Sequence, residues 1–159
     1  MSSSSTAEFI ETTLTRAADQ LGDITPAVIH RLYEQYPGME ASFEHHGLGK
    51  RSQLEGDMVK NALYCLMDWH ADPGSIEIIL FNSVPHHHYT LKVPPQWYAG
   101  LLEVTAEVIA ETIPAGASDE QAAWHTLTME LLQVLEESSR QTDAPYSPAQ
   151  TAATLPTKH

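Results

Sequence analysis

Apolar residues recur along this chain at helical spacing. Between about Thr6 and Leu21, the residues Phe9, Ile10, Leu14, Ala17, Ala18 and Leu21 fall three or four apart, which places them on one helix face. Gly22-Asp23 stops that helix. Thr25-Pro26 reads as a cap followed by proline in the first turn. Val28, Ile29, Leu32, Tyr33 and Tyr36 form the next apolar stripe, and Pro37-Gly38 ends it. A short turn then carries Met39 and Phe43, and His45 to Arg51 reads as polar loop. Ser52 and Glu55 have capping-box spacing. They open a helix whose inner side holds Met58, Val59, Ala62, Leu63, Leu66 and Trp69, and Asp72-Pro73-Gly74 closes it.

Ser75 to Val84 is ambiguous, because its run of isoleucines suits a strand by composition. Pro94-Pro95 begins a long helix bearing Trp97, Tyr98, Leu101, Leu102, Val108, Ile109 and Ile113, which Pro114-Ala115-Gly116 breaks. Ser118 and Gln121 form a second capping box ahead of Trp124, Leu127, Leu131, Val134 and Leu135. Five or six amphipathic helices joined by short loops predict an all-α domain over residues 6–139. Residues 1–5 read as a disordered N-terminus. Residues 140–159, rich in Pro, Ser, Thr and Ala, read as a disordered tail. There is no strand–helix alternation, phosphate-binding glycine loop, CxxC pair or nucleophile motif.

Composition narrows the functional classes. The 159 residues suit one domain, and no segment approaches the roughly 20 consecutive apolar residues that cross a bilayer. The single cysteine, Cys65, excludes an internal disulfide and reads as a buried thiol. Together with a polar N-terminus that lacks a secretory apolar core, it predicts a cytoplasmic setting. Twenty-one acids against eight bases give a formal charge of −13, which disfavours nucleic acid and anionic membranes as partners. The unusual feature is histidine. Nine are present, and His86, His87 and His88 stand in a row. Taken alone, that run fits a solvated polar turn or adventitious metal binding as well as a built site.

The surrounding residues favour a site. His88 is followed five positions later by Val93 and ten positions later by Tyr98, with Lys92-Val93-Pro94-Pro95 between helices. Pro37 precedes Phe43 by six. Glu55-Gly56-Asp57-Met58-Val59 places glycine next to a polar residue and valine four after it, and Ala122-Ala123-Trp124 opens the last helix. In this order and spacing, residues 6–137 resemble the globin family, especially bacterial single-domain globins and the globin domain of flavohaemoglobins.

The resemblance implies a globin-like helical fold with a slot for haem b. It implies His88 as the iron ligand, with His86 or His87 taking that role if the register differs. It implies Phe43, Val59, Val93 and Tyr98 along the slot, Lys92 beside a propionate, Glu55 at the distal position and Ile29 where flavohaemoglobins carry a distal tyrosine. Haem needs an apolar slot, a neutral imidazole and a cation at its edge, so these residue types suit it. The carbonyl of Val84 is the natural acceptor for the second imidazole N–H. The implied function is binding or sensing of a diatomic ligand, O2 or NO. Alternatives are a haem-free globin-fold sensor or interaction module, and a haem-dependent peroxidase or NO dioxygenase served by a separate reductase.

Several positions depart from the family pattern: Ile29 replaces the distal tyrosine, and Glu136 and Glu137 lie close to, but not at, the spacing from Trp124 of the family's proximal glutamate. Glu55 stands where His or Gln is usual, and an ionised carboxylate cannot donate a hydrogen bond. Glu55 can equally serve as the cap partner of Ser52. Pro85, three residues before His88, requires a helical turn to start there.

Overall fold

The structure is a computed structural model that describes the backbone of residues 3–89 and 95–143, and the side chains of 6–83, 96–138 and 140. The described residues form seven α-helices and no strand: α1 (Ser3–Leu21), α2 (Thr25–Gln35), α3 (Gly38–Gly47), α4 (Arg51–Asp68), α5 (Pro73–Tyr89), α6 (Pro95–Ala110) and α7 (Ser118–Asp143). The all-α class is therefore as expected.

Helix ends follow the local chemistry, with instructive shifts. α1 stops where Gly22 takes φ +60°, the left-handed cap conformation that glycine adopts without steric cost. Thr25 is the first residue of α2 and not its cap: Ile24 takes the cap position without a side-chain bond, and Asp23 Oδ1, one residue earlier, accepts the Thr25 backbone N–H at 3.0 Å. That bond holds the Asp23 carboxyl below its ordinary range. The stretch read as turn and loop is helical, since α3 carries Phe43, His45 and His46. It ends at Leu48 with φ 49°.

The Ser52–Glu55 capping box does not form. α4 starts after Lys50 without a side-chain cap, and Glu55 bonds elsewhere. Asp72-Pro73 does more than close α4. Asp72 accepts the Ser75 N–H at 3.3 Å with Pro73 in the first turn, so the same residues start α5. At the start of α7, Gln121 donates its amide to the Pro114 carbonyl at 2.9 Å, in place of the expected box with Ser118. α1 begins at Ser3, inside the segment read as disordered, and α7 runs to Asp143. The remainder of the predicted tail, 144–159, lies outside the described residues.

α5 settles the ambiguous segment as helix. Ile76 and Leu80, four apart, have no exposed surface, whereas Ile78 is 65% exposed. The buried pair packs α5 against α7, where Ser138 donates to the Leu80 carbonyl at 3.4 Å. Packing on a facing helix outweighs the β-propensity of the isoleucines, which is worth at most about 1 kcal/mol.

α6 and α7 form the centre of the fold. α6 touches α1, α2, α4, α5 and α7, and α7 touches α1, α4, α5 and α6. The fully buried apolar core is Val28 and Leu32 of α2, Val59 and Leu66 of α4, Ile76 and Leu80 of α5, Leu102, Val104 and Ile109 of α6, and Leu131 of α7. Trp124 is buried, and its indole N–H donates to the Ala106 carbonyl at 3.0 Å, pinning α7 to α6. α1 is tied to α7 by a sealed carboxylate, Glu120, which accepts from Thr13 at 2.7 Å and from both terminal nitrogens of Arg16. At Gly100 the α2–α6 corner closes so tightly that a Cβ would lie 2.6 Å from the Tyr36 ring.

Candidate functional site

The packing leaves a cleft between α3, α4, α5 and α6. Its walls are Met39 and Phe43 from α3, Met58, Asn61, Ala62 and Cys65 from α4, Ser83 from α5, and Trp97, Tyr98, Leu101 and Leu102 from α6. On α4 the spacing 58, 61, 62, 65 is that of one helix face, and 97, 98, 101, 102 does the same on α6. The cleft has a cavity volume of about 80 Å³, or about 620 Å³ with its open mouth counted. It is a thin slot, and its walls are predominantly apolar.

The polar atoms in the slot are neutral at physiological pH. Burial, with the charge of Asp68 adding to it, pushes the Cys65 thiol up to about 11. Burial also pushes the Tyr98 phenol up to about 12, partly offset by its hydrogen bond with Ser83. A thiol held that high is protonated at neutral pH and is a poor nucleophile. The slot therefore presents thioethers, a thiol, a phenol, a hydroxyl and the Asn61 amide. Phe43 is fixed from behind by Tyr33, whose ring meets it edge-on with centroids 5.9 Å apart.

Tyr33 also decides where Glu55 goes. Its hydroxyl donates to Glu55 Oε2 at 2.6 Å, and Arg51 Nε stands 3.4 Å from the same oxygen. Arg51 reaches Glu44 at 3.2 Å as well. The result is a polar lattice joining α2, α3 and α4 beside the slot. Burial and the bond to Glu55 raise the Tyr33 phenol well above its usual range. Glu55 is not among the lining residues of the slot.

Of the residues singled out from sequence, the structure brings Phe43 and Tyr98 together across the slot. Val59 is buried and lines a different groove, against α1 and α2. Ile29 packs in the core of α2 without lining the slot. The backbone of His88 lies in the last turn of α5, in a helix that continues through Pro85, while its side chain and those of His86 and His87 lie outside the described residues. Lys92 and Val93 lie outside them entirely. His45 and His46 stack edge-on with each other at 4.9 Å and do not line the slot.

Apart from Phe43 and Tyr98, none of the residues that line the slot is among those the resemblance implies for it. The spacing of Met58, Ala62 and Cys65 was the one available signal for the α4 wall. Among the described residues no group of three or more His, Cys, Asp or Glu side chains could hold a metal ion, and no helix is long and apolar enough to cross a membrane.

No protein-family model, no curated protein and no solved structure matches this chain. The fold and the slot define it as an all-helical protein with a predominantly apolar cleft.

Proposed function

We propose that this chain is a haem-binding, globin-like protein in which His88 holds the iron of haem b and the site binds or senses a diatomic gas, O2 or NO. One observation carries the reading. Phe43 and Tyr98, which the motif sets against the porphyrin from different helices, line one thin apolar slot, and the helix that supplies Ser83 to that slot is the one whose last turn contains His88.

The residues present fit the group in their chemistry. A porphyrin is a flat apolar disc, and Phe43, Met58, Trp97, Tyr98 and Leu102 offer apolar and aromatic lining. His88 would take the metal, with its second N–H directed to a backbone carbonyl. Lys92 would pair with a propionate, and Val93 would complete the wall. The haem, when bound, supplies an iron with an open coordination position. Because Tyr33 and Arg51 hold Glu55, the hydrogen-bond donor that α4 gives to the slot is the amide of Asn61.

Titration with haemin tests this. The expected result is a Soret band that saturates at one haem per chain, is lost or shifted in His88→Ala, and persists in His86→Ala and His87→Ala. Absence of a stoichiometric band, or an unchanged spectrum in His88→Ala, refutes the assignment.

A second reading, a haem-free globin-fold sensor or interaction module, is favoured by the small internal room of about 80 Å³. A pocket for a ligand of that size typically offers about 300 Å³ or more, so the walls must part to admit a porphyrin. Stoichiometric haem in protein purified from a haem-replete host excludes this second reading.

A further inference from the structure

A second concavity lies between the end of α1, the start of α2 and α4, and it shares no lining residue with the slot. It is a groove of about 400 Å³. Its surface is mostly apolar, with Val59 and Ile109 buried in its floor and Met67, half exposed, at its edge.

Two features of the groove are not explained by packing alone. The first is Gly56, in the interior of α4, where glycine is unfavourable relative to alanine. A Cβ at Gly56 would meet nothing within 4 Å. No neighbour demands the glycine, and its effect is to keep the groove open. The second is Lys60. The chain carries a formal charge of −13, and each of its four arginines is ion-paired: Arg16 with Glu120, Arg31 with Glu111, Arg51 with Glu44 and Arg140 with Glu136. Lys60, which lines the groove, has no carboxylate within ion-pair distance among the described residues. The other charged lining residue, Asp23, stays ionised, its carboxylate accepting the Thr25 N–H at the positive end of α2, where the helix dipole offsets part of its charge. An apolar trough with one uncompensated cation fits an apolar molecule with one negative charge.

We propose that this groove binds a fatty acid of medium chain length, its carboxylate at the Lys60 ammonium and its tail along Gly56, Val59 and Ile109. A methylene occupies roughly the volume of a water molecule, about 30 Å³, so 400 Å³ accommodates a tail on the order of ten carbons. The lysine stem can lie along the apolar wall while its head stays wet at the mouth. Long-range repulsion from the acidic surface opposes the ligand, so apolar burial supplies most of the affinity. Lys60 sets the choice of head group.

Calorimetric titration of the full chain with decanoate, decanol and decyltrimethylammonium, each below its micelle concentration and at low salt, tests the proposal. Decanoate is expected to bind saturably at one per chain, about three- to fivefold tighter than decanol, as one solvent-accessible ion pair allows. The cationic amphiphile is expected to bind weakest. Affinity should rise about fourfold per added methylene until the groove is full. Lys60→Gln, at an exposed position, should equalise decanoate and decanol while leaving decanol binding intact. Gly56→Phe should abolish both, with the helical circular dichroism unchanged.

Tighter binding of the cationic amphiphile, or decanoate binding indifferent to both variants, overturns the proposal. So does a dimeric wild type that Gly56→Phe converts to monomer, since the groove would then be an interface between copies. Haem binding in the separate slot is read independently by its Soret band.

Discussion

Ile76, Ile78 and Leu80 of α5 distinguish a helix from a strand at the segment where composition points the wrong way. In a strand these three alternate residues share one face and cost alike when truncated. In the helix, Ile76 and Leu80 are four apart on the inner face and have no exposed surface, while Ile78 is turned away at 65% exposure. Ile76→Ala and Leu80→Ala each remove buried carbons and leave a cavity on α7, at a cost of about 2–5 kcal/mol, with about 3 kcal/mol the central expectation. Against a total stability on the order of 5–15 kcal/mol, that is a large fraction. Ile78→Ala removes little packed surface and installs a better helix former, so its effect should stay within about 0.5 kcal/mol of zero. Urea denaturation followed by circular dichroism reads all three, with an unchanged m-value confirming that stability alone has moved. A loss for Ile78→Ala equal to that for Ile76→Ala would refute the helical assignment, and with it the placement of His88 at the end of α5.

Three other perturbations follow from the structure. Arg16 and Thr13 hold the Glu120 carboxyl below its ordinary range. A group whose folded value lies below its unfolded one contributes stability above the unfolded value, about 4.3, and loses it as pH falls through the folded value. The stability gap between wild type and Glu120→Gln, measured by denaturant titration, should therefore be constant at neutral pH and close on acidification; a gap that widens contradicts the pairing. Gly56→Ala and Gly100→Ala should have opposite signs in thermal melts. The first should gain about 0.5–1 kcal/mol of helix stability where nothing lies within 4 Å, and the second should lose about 1–3 kcal/mol because its Cβ would meet the Tyr36 ring. Cys65, with its thiol pushed up to about 11 inside the slot, should react with a disulfide reagent far more slowly in native than in denatured protein at neutral pH; equal rates would show that the slot is open to solvent.

The α4 wall shows why part of the site could not be read from the chain. Its apolar arc runs Met58, Val59, Ala62, Leu63, Leu66, because α4 is covered from two sides. Adjacent residues on a helix point about 100° apart, so Met58 meets the slot while Val59 meets the groove. Spacing alone assigns both to an inner side and cannot say which inner side. Glu55 presents the same difficulty in polar form. Its capping-box spacing with Ser52 is a local signal, but a short hydrogen bond from Tyr33, twenty-two residues earlier, outcompetes it. Phe43 and Tyr98, by contrast, were legible as partners because the motif couples them by order along the chain, and both line one slot.

By itself the sequence determined the all-helical class and most helix positions, since period and turn chemistry are local properties of the backbone. It also indicated a buried Cys65 and a strongly acidic surface. Tertiary structure decided the rest: that the isoleucine run is helix, that Glu55 turns from the slot to Tyr33 and Arg51, and that Val59 belongs to a second groove. Those outcomes depend on which surfaces meet across long sequence separations, and burial against a facing helix outweighs the few tenths of a kcal/mol per residue that local preference supplies.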